Sequence, residues 1–198
     1  YNGGLAFGIF GFFVYNFLYT SFGVQPPKVL TYVNPTYDVV SHSFGMFVNI
    51  YFITIFLLAI FAGFLLNGSS FKGYRELLRD TGYRSSFADR YSMPVCLMNL
   101  GFYGLTILLY INFVMFISYG VGFTGPTTGA TFAALTFVFL GQHPKIVLPI
   151  FGGFIGIYLL NAAIVTLTGL NPGWTISSQG YINAAAFATG ICPLVGVY

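Results

Sequence analysis

"GFTGPTTGATFAALTFVFLGQHPKIVLPIF", residues 122–151, places a helix start, a run of small residues and a polar turn in a chain otherwise composed for lipid. Gly125-Pro126 reads as the start, because proline suits the first helical position, where its missing N–H would have had no partner in any case. The N–H groups of the following turn, including those of Thr127 and Thr128, have no acceptors within the helix. At membrane depth such groups are costly unless protein or water satisfies them. The apolar run over residues 126–140 reaches only about 22 Å as a helix, short of the ~30 Å hydrocarbon core. The stretch therefore predicts a half-helix that begins inside the membrane and aims its N–H groups and positive dipole end at a solute in a polar cavity. Gly129 lies four residues before Ala133, a spacing that predicts close contact with a neighbouring helix.

The composition supports that setting. Hydrophobic residues make up 57% of the chain and charged residues only 6%, where a soluble domain carries roughly 25% charged residues. The mean hydropathy of +0.82 points the same way. Residues 1–198 read as one integral membrane domain, and the opening on Tyr1 without a basic leader reads as a piece of a longer chain. Seven Lys/Arg against four Asp/Glu give a formal charge of +3, too few and too scattered for a nucleic-acid surface. Cys96 and Cys192 sit in apolar stretches without CxxC spacing and read as small buried hydrophobes.

Four stretches are long and apolar enough to span: about residues 3–24, 46–66, 93–119 and 146–167. The last has a loose first half, because Pro149, Gly152, Gly153 and Gly156 fall there. Between the second and third lies "NGSSFKGYRELLRDTGYRSSFADRYS", residues 67–92, which carries Lys72, Arg75, Arg79, Arg84 and Arg90. The positive-inside rule makes this loop cytoplasmic. Phe71, Tyr74, Leu77 and Leu78 share one helical face within it, which predicts a short helix lying in the headgroups. The Pro-, Tyr- and Asn-rich stretch 25–45 then faces outside, and His42 within it has no neighbours with metal-ligand spacing. Residues 126–140 either cross obliquely or dip in and return: Lys145 favours crossing, the short length favours dipping. His143, in the Gly141-to-Lys145 turn, reads as a polar residue at the interface, with a proton-relay or gating role as the alternative.

A second short segment, about residues 178–194, repeats the design. Asn171-Pro172-Gly173 forms a turn, and Thr175, Ser177 or Ser178 can cap the helix that follows. Gly180, Ala184 and Ala188 are four apart, which again predicts helix contact. Asn183 sits among these small residues, where an unpaired amide is expensive, so it calls for a partner or a solute. The candidate solute path is thus Thr127, Thr128, Gly129, Ser177, Ser178 and Asn183. Asp38, Glu76, Asp80 and Asp89 all fall in predicted loops, which argues against a carboxylate-driven pump and for a neutral solute. No GxSxG, HExxH or P-loop points to an enzyme, and nothing in the sequence calls for a cofactor or a metal. The pair "YNGGLAFG" and "YINAAAFATG" hints at internal symmetry.

"GPTTGATFAALTF", "GQHPK" and "YNGGLAFG" resemble motifs of an uncharacterised bacterial family of multi-pass membrane proteins, known as a domain of unknown function and thought to occur as two related halves. That resemblance implies a bacterial inner-membrane location and no particular activity. The order of half-helix, span, Asn-Pro turn and second short helix over residues 122–194 is also similar in pattern to the pore-forming halves of urea transporters. It implies two inverted halves around a narrow slot, with Thr127, Thr128, Ser177 and Ser178 offering hydroxyls to the solute. This chain lacks a convincing second copy, which leaves the substrate open.

The sequence thus predicts an all-α membrane domain of four spans and two half-helices. Its expected function is a channel or transporter for a small polar, uncharged solute. Its expected partners are the lipid bilayer, that solute, and a second copy or second half of the chain, with no nucleic acid. The alternative is a structural or sensory membrane subunit without transport activity.

Overall fold

The computed structural model describes residues 10, 13–14, 17, 21–22, 38–83, 85–118, 123–172, 176 and 179–191. Every regular element among them is helical. In order these are α1 (Asp38–Leu66), α2 (Tyr74–Leu77), α3 (Phe87–Arg90), α4 (Met93–Ser118), α5 (Gly125–Thr136), a 3₁₀ turn (Phe137–Leu140), α6 (Pro144–Thr168), α7 (Gln179–Ala188) and a second 3₁₀ turn (Thr189–Ile191). Three apolar runs within them are long enough to cross a membrane: Gly45–Leu66, Met93–Phe116 and Pro144–Thr168. They correspond to three of the four predicted spans. The fourth, residues 3–24, lies almost wholly outside the described residues. α1 begins earlier than its apolar run, so His42 stands on its opening turns and not in a loop.

The frame is the antiparallel pair α1 and α4. Their backbones approach where glycine removes the side chain. A Cβ at Gly63 would collide with the Pro94 carbonyl, one at Gly101 with the Phe56 carbonyl, and one at Gly104 with the Phe56 ring. Asn112 Nδ2 then donates to Asn49 Oδ1 across the pair at 2.7 Å. Phe52, Phe56, Tyr103, Ile107, Ile111 and Val114 fill the contact and continue into the core formed with α5, α6 and α7. Small residues thus bring helices together here, whereas the predicted contacts are open. An added Cβ at exposed Gly129 would meet nothing within 4 Å, and Gly180 and Ala184 are also exposed. The 3.6-residue period explains the miss, because glycine spacing marks a face without saying which face is covered.

Loop 67–92 forms the predicted short helix, α2, but its apolar side faces the protein. Tyr74 and Leu77 are buried with Phe87, Val95, Cys96 and Met98 in a second cluster at the start of α4. α6 is the least covered span: Ile146, Val147 and Phe151 are buried, while Leu148, Leu159, Leu160 and Leu167 are more than half exposed.

α5 runs alongside this frame toward its loop end. The rings of Phe123 and Phe132 lie 6.0 and 5.0 Å from that of Phe52. Phe52 is seven residues inside the apolar run of α1, a depth of about 10 Å at 1.5 Å per residue. Twelve residues of α5 add about 18 Å and the four-residue 3₁₀ turn about 8 Å. The chain then reaches Gln142 beside Asn99, six residues into α4. α7 packs against α5, and its ten residues make a helix of about 15 Å.

Candidate functional site

At the start of α5 the cap is Thr124, one residue ahead of the predicted glycine-proline start. Thr124 has extended backbone (φ −118, ψ 174), and its Oγ1 accepts the Thr127 N–H at 3.2 Å. The Thr124 and Thr127 hydroxyls share a hydrogen bond of 2.9 Å. Thr128 donates from Oγ1 to the Thr124 carbonyl at 2.8 Å, and Thr131 to the Thr127 carbonyl at 2.9 Å. Thr127 and Thr131 are fully buried. A helix does start at this glycine-proline step, as the sequence predicts, and its threonine hydroxyls bond within their own turn. Each is a residue type that readily bonds nearby backbone, and that local option is the one taken.

The other end of α5 carries the larger polar cluster. Gly141 ends the 3₁₀ turn in the left-handed region at φ 104, and Pro144 restarts the chain as the first residue of α6. Between them, in the turn that the sequence predicts, Gln142 and His143 are fully buried, so His143 is held by protein and not by solvent. The turn is held from three sides. From α4, Asn99 Nδ2 donates to the Gln142 carbonyl at 2.8 Å. Toward the end of α7, Gln142 Nε2 donates to the Gly190 carbonyl at 3.1 Å. From loop 67–92, the Asp80 carbonyl meets His143 Nε2 at 2.9 Å. One turn further along α4, Tyr103 donates to Thr189 Oγ1 at 2.8 Å, and Thr189 bonds back to the Ala186 carbonyl. The terminal turns of both short helices thus meet on one face of α4.

The loop presses close at this point. A Cβ on either Gly82 (φ 69) or Gly141 would overlap the backbone of the other. Asp80 fixes the loop, accepting from the Gly82 N–H at 2.9 Å, from Arg90 at 2.8 Å and from the Tyr91 hydroxyl at 3.0 Å. Burial, then the bond to Asp80 and its charge, push the Tyr91 phenol up to about 12. Burial lowers the His143 pKa against a smaller upward pull from the bond to the Asp80 carbonyl, so its imidazole is held neutral.

Several buried polar atoms have no partner: Asn99 Oδ1, Gln142 Oε1 and His143 Nδ1 in this junction, Asn183 Oδ1 on α7 and Asn161 Oδ1 on α6. Of the predicted path residues, Thr127, Thr128 and Gly129 stand together on the first turns of α5, and half-buried Asn183 stands on α7, which packs against α5. Ser177 and Ser178 lie outside the described residues. Sequence reasoning missed Asn99, Tyr103, Gln142 and Thr189. The available signal was the polar triplet after Leu140, because a buried Gly-Gln-His turn before proline needs partners from elsewhere in the chain. Among the described residues no group of three His, Cys, Asp or Glu is placed to hold a metal.

No curated protein and no solved structure matches the chain. The model of one family, described as a protein of unknown function, matches residues 66–198, a stretch that takes in the loop, α4, the Gly-Gln-His turn and both short helices. The chain belongs to that family, DUF1576.

Proposed function

We propose that this domain forms a membrane passage, channel or transporter, for a small polar, uncharged solute. The observation that carries the reading is the set of buried, unpartnered polar atoms where α5 and α7 meet α4, in a region the apolar spans would otherwise keep dry. Such groups are expensive in a membrane interior unless water or a solute reaches them. The reading also takes α5 to start within the apolar thickness, since backbone that breaks helical order at depth is tolerated where it lines a cavity. In this reading α5 and α7 are half-helices, and the architecture proposed is one like that of urea-transporter halves, completed by a second half or a second copy. Loop 67–92 lies on the cytoplasmic side of a bacterial inner membrane. Reconstitution of the full chain in liposomes, followed by stopped-flow swelling against a panel of small neutral solutes, tests the reading. Solute-dependent swelling above that of empty liposomes is expected, and none for any solute overturns it.

A second reading has its own support. All four threonine hydroxyls at the start of α5 are bonded within the helix, as in a structural or sensory subunit that moves no solute. Under that reading the junction serves assembly alone and the swelling assay gives only the empty-liposome rate.

A further inference from the structure

The Gly-Gln-His junction has a donor and acceptor imbalance that follows from its bonds. Asn99 Nδ2 and Gln142 Nε2 each face a backbone carbonyl, at 2.8 and 3.1 Å. A carbonyl can only accept, so the amide orientations are fixed and the amide oxygens are the atoms left over. His143 Nε2 faces a third carbonyl, that of Asp80, at 2.9 Å, so Nε2 carries the hydrogen. On a neutral imidazole Nδ1 is then a bare lone pair. Asn99 Oδ1, Gln142 Oε1 and His143 Nδ1 are all buried and all without a partner. Their residues are fully buried, on two consecutive positions and on the side chain bonded to the first of them. Each of the three side chains has a donor engaged by backbone, and each leaves an acceptor.

We propose that the junction is a binding site for a small uncharged molecule that presents two or more N–H groups, with Asn99, Gln142 and His143 accepting them. An anion is repelled by three lone pairs. A metal cation would find three neutral donors, with the nearby Asp80 carboxylate already engaged by Gly82, Arg90 and Tyr91, too little to offset its desolvation. This rests on the transport reading for its biological role, since it names the chemistry of the solute, but binding and flux are read separately. Binding without swelling would sink transport and leave the site standing; swelling without binding would do the reverse.

The chain has only two histidines, His42 and His143, so ¹⁵N-histidine labelling of the full chain in lipid nanodiscs reports the site directly. The His143→Gln variant assigns the signals. The same variant keeps a donor toward the Asp80 carbonyl and replaces the Nδ1 acceptor by an amide oxygen in a different position. Acetamide is the probe, with sodium chloride and ammonium chloride as cation controls. The expected result is a saturable shift of the His143 Nδ1 signal with acetamide, no shift of the His42 signals, and no response to either salt. In thermal melts, acetamide should raise the wild-type midpoint, and His143→Gln should need about tenfold more probe for the same rise, the loss of roughly 1.4 kcal/mol of binding. An Nδ1 signal already hydrogen-bonded in buffer and unmoved by acetamide would mean an ordered water alone fills the junction, and would overturn the proposal. A shift with ammonium or sodium and not with acetamide would overturn the uncharged class. Should His143→Gln fail to fold, His42→Gln assigns the signals by difference and the wild-type titration still decides.

Discussion

Gly82→Ala tests whether loop 67–92 is locked onto the turn between α5 and α6. At φ 69 the residue is left-handed, where a Cβ costs roughly 1–2 kcal/mol. The added carbon would also overlap the carbonyl oxygen of Gly141, backbone that cannot rotate away, and such overpacking typically costs ~1–3 kcal/mol. Relieving the overlap moves the loop and stretches the bond from His143 to the Asp80 carbonyl, a further ~1 kcal/mol net. The expected loss is about 3–6 kcal/mol, against ~5–15 kcal/mol for a whole domain. Gly169→Ala is the control, because it shares φ 69 and its Cβ would meet nothing within 4 Å, leaving only the conformational cost of roughly 1–2 kcal/mol. Denaturant unfolding of both variants in one detergent measures the difference. Equal losses would refute the reasoning, since the loop would then not be seated on the turn.

Thr124→Val removes the cap of α5 and should cost about 1 kcal/mol, read as a lowered melting point. A cysteine at exposed Ala88, in a Cys192→Ala background whose Cys96 is buried, should react with an impermeant maleimide only from the cytoplasmic face, and labelling from the other face alone would invert the proposed orientation. His143, held neutral by burial, predicts a pH dependence with a definite sign. Its folded pKa lies below the unfolded value of about 6.5, so stability is full above that pH. As pH falls below it, the unfolded chain takes up the proton first and stability drops by up to ~1.4 kcal/mol per pH unit. His143→Gln should flatten that slope in melts from pH 8 to pH 5, and an unchanged slope would assign it to other groups.

Three of the four predicted spans were legible because hydropathy over twenty residues is a sum, and sums survive local errors. Pro126, Gly141 and Pro144 were legible for another reason: each marks a backbone state that few other residues adopt, and each sits at a helix boundary. The helix start was read one residue late, with Pro126 in the first helical position that Gly125 takes. Thr124, Thr127 and Thr128 are chemically alike, and only the extended backbone at Thr124 separates the capping residue from the helical ones. Tertiary partners were not legible at all. The bond from Asn99 to the Gln142 carbonyl joins residues 43 apart, and that from Tyr103 to Thr189 joins residues 86 apart. Nothing in a local period distinguishes Asn99 from Asn112, which pairs with Asn49 on the opposite neighbour. Glycine shows the same limit: Gly101 and Gly104 lie against α1, whereas Gly152, Gly153 and Gly156 have open space beside them.

Solute flux through the wild-type chain and Asn183→Leu, measured side by side in proteoliposomes with melting points recorded for both, tests the transport claim most directly. Leucine is close to asparagine in size and removes a buried oxygen that has no partner, so replacing it should stabilise the helix or leave it unchanged while taking a polar group from the path. Wild-type flux should stand well above that of empty liposomes and fall at least tenfold in the variant at an equal or higher melting point. Flux at the wild-type rate in Asn183→Leu, or no flux in either, would contradict the claim.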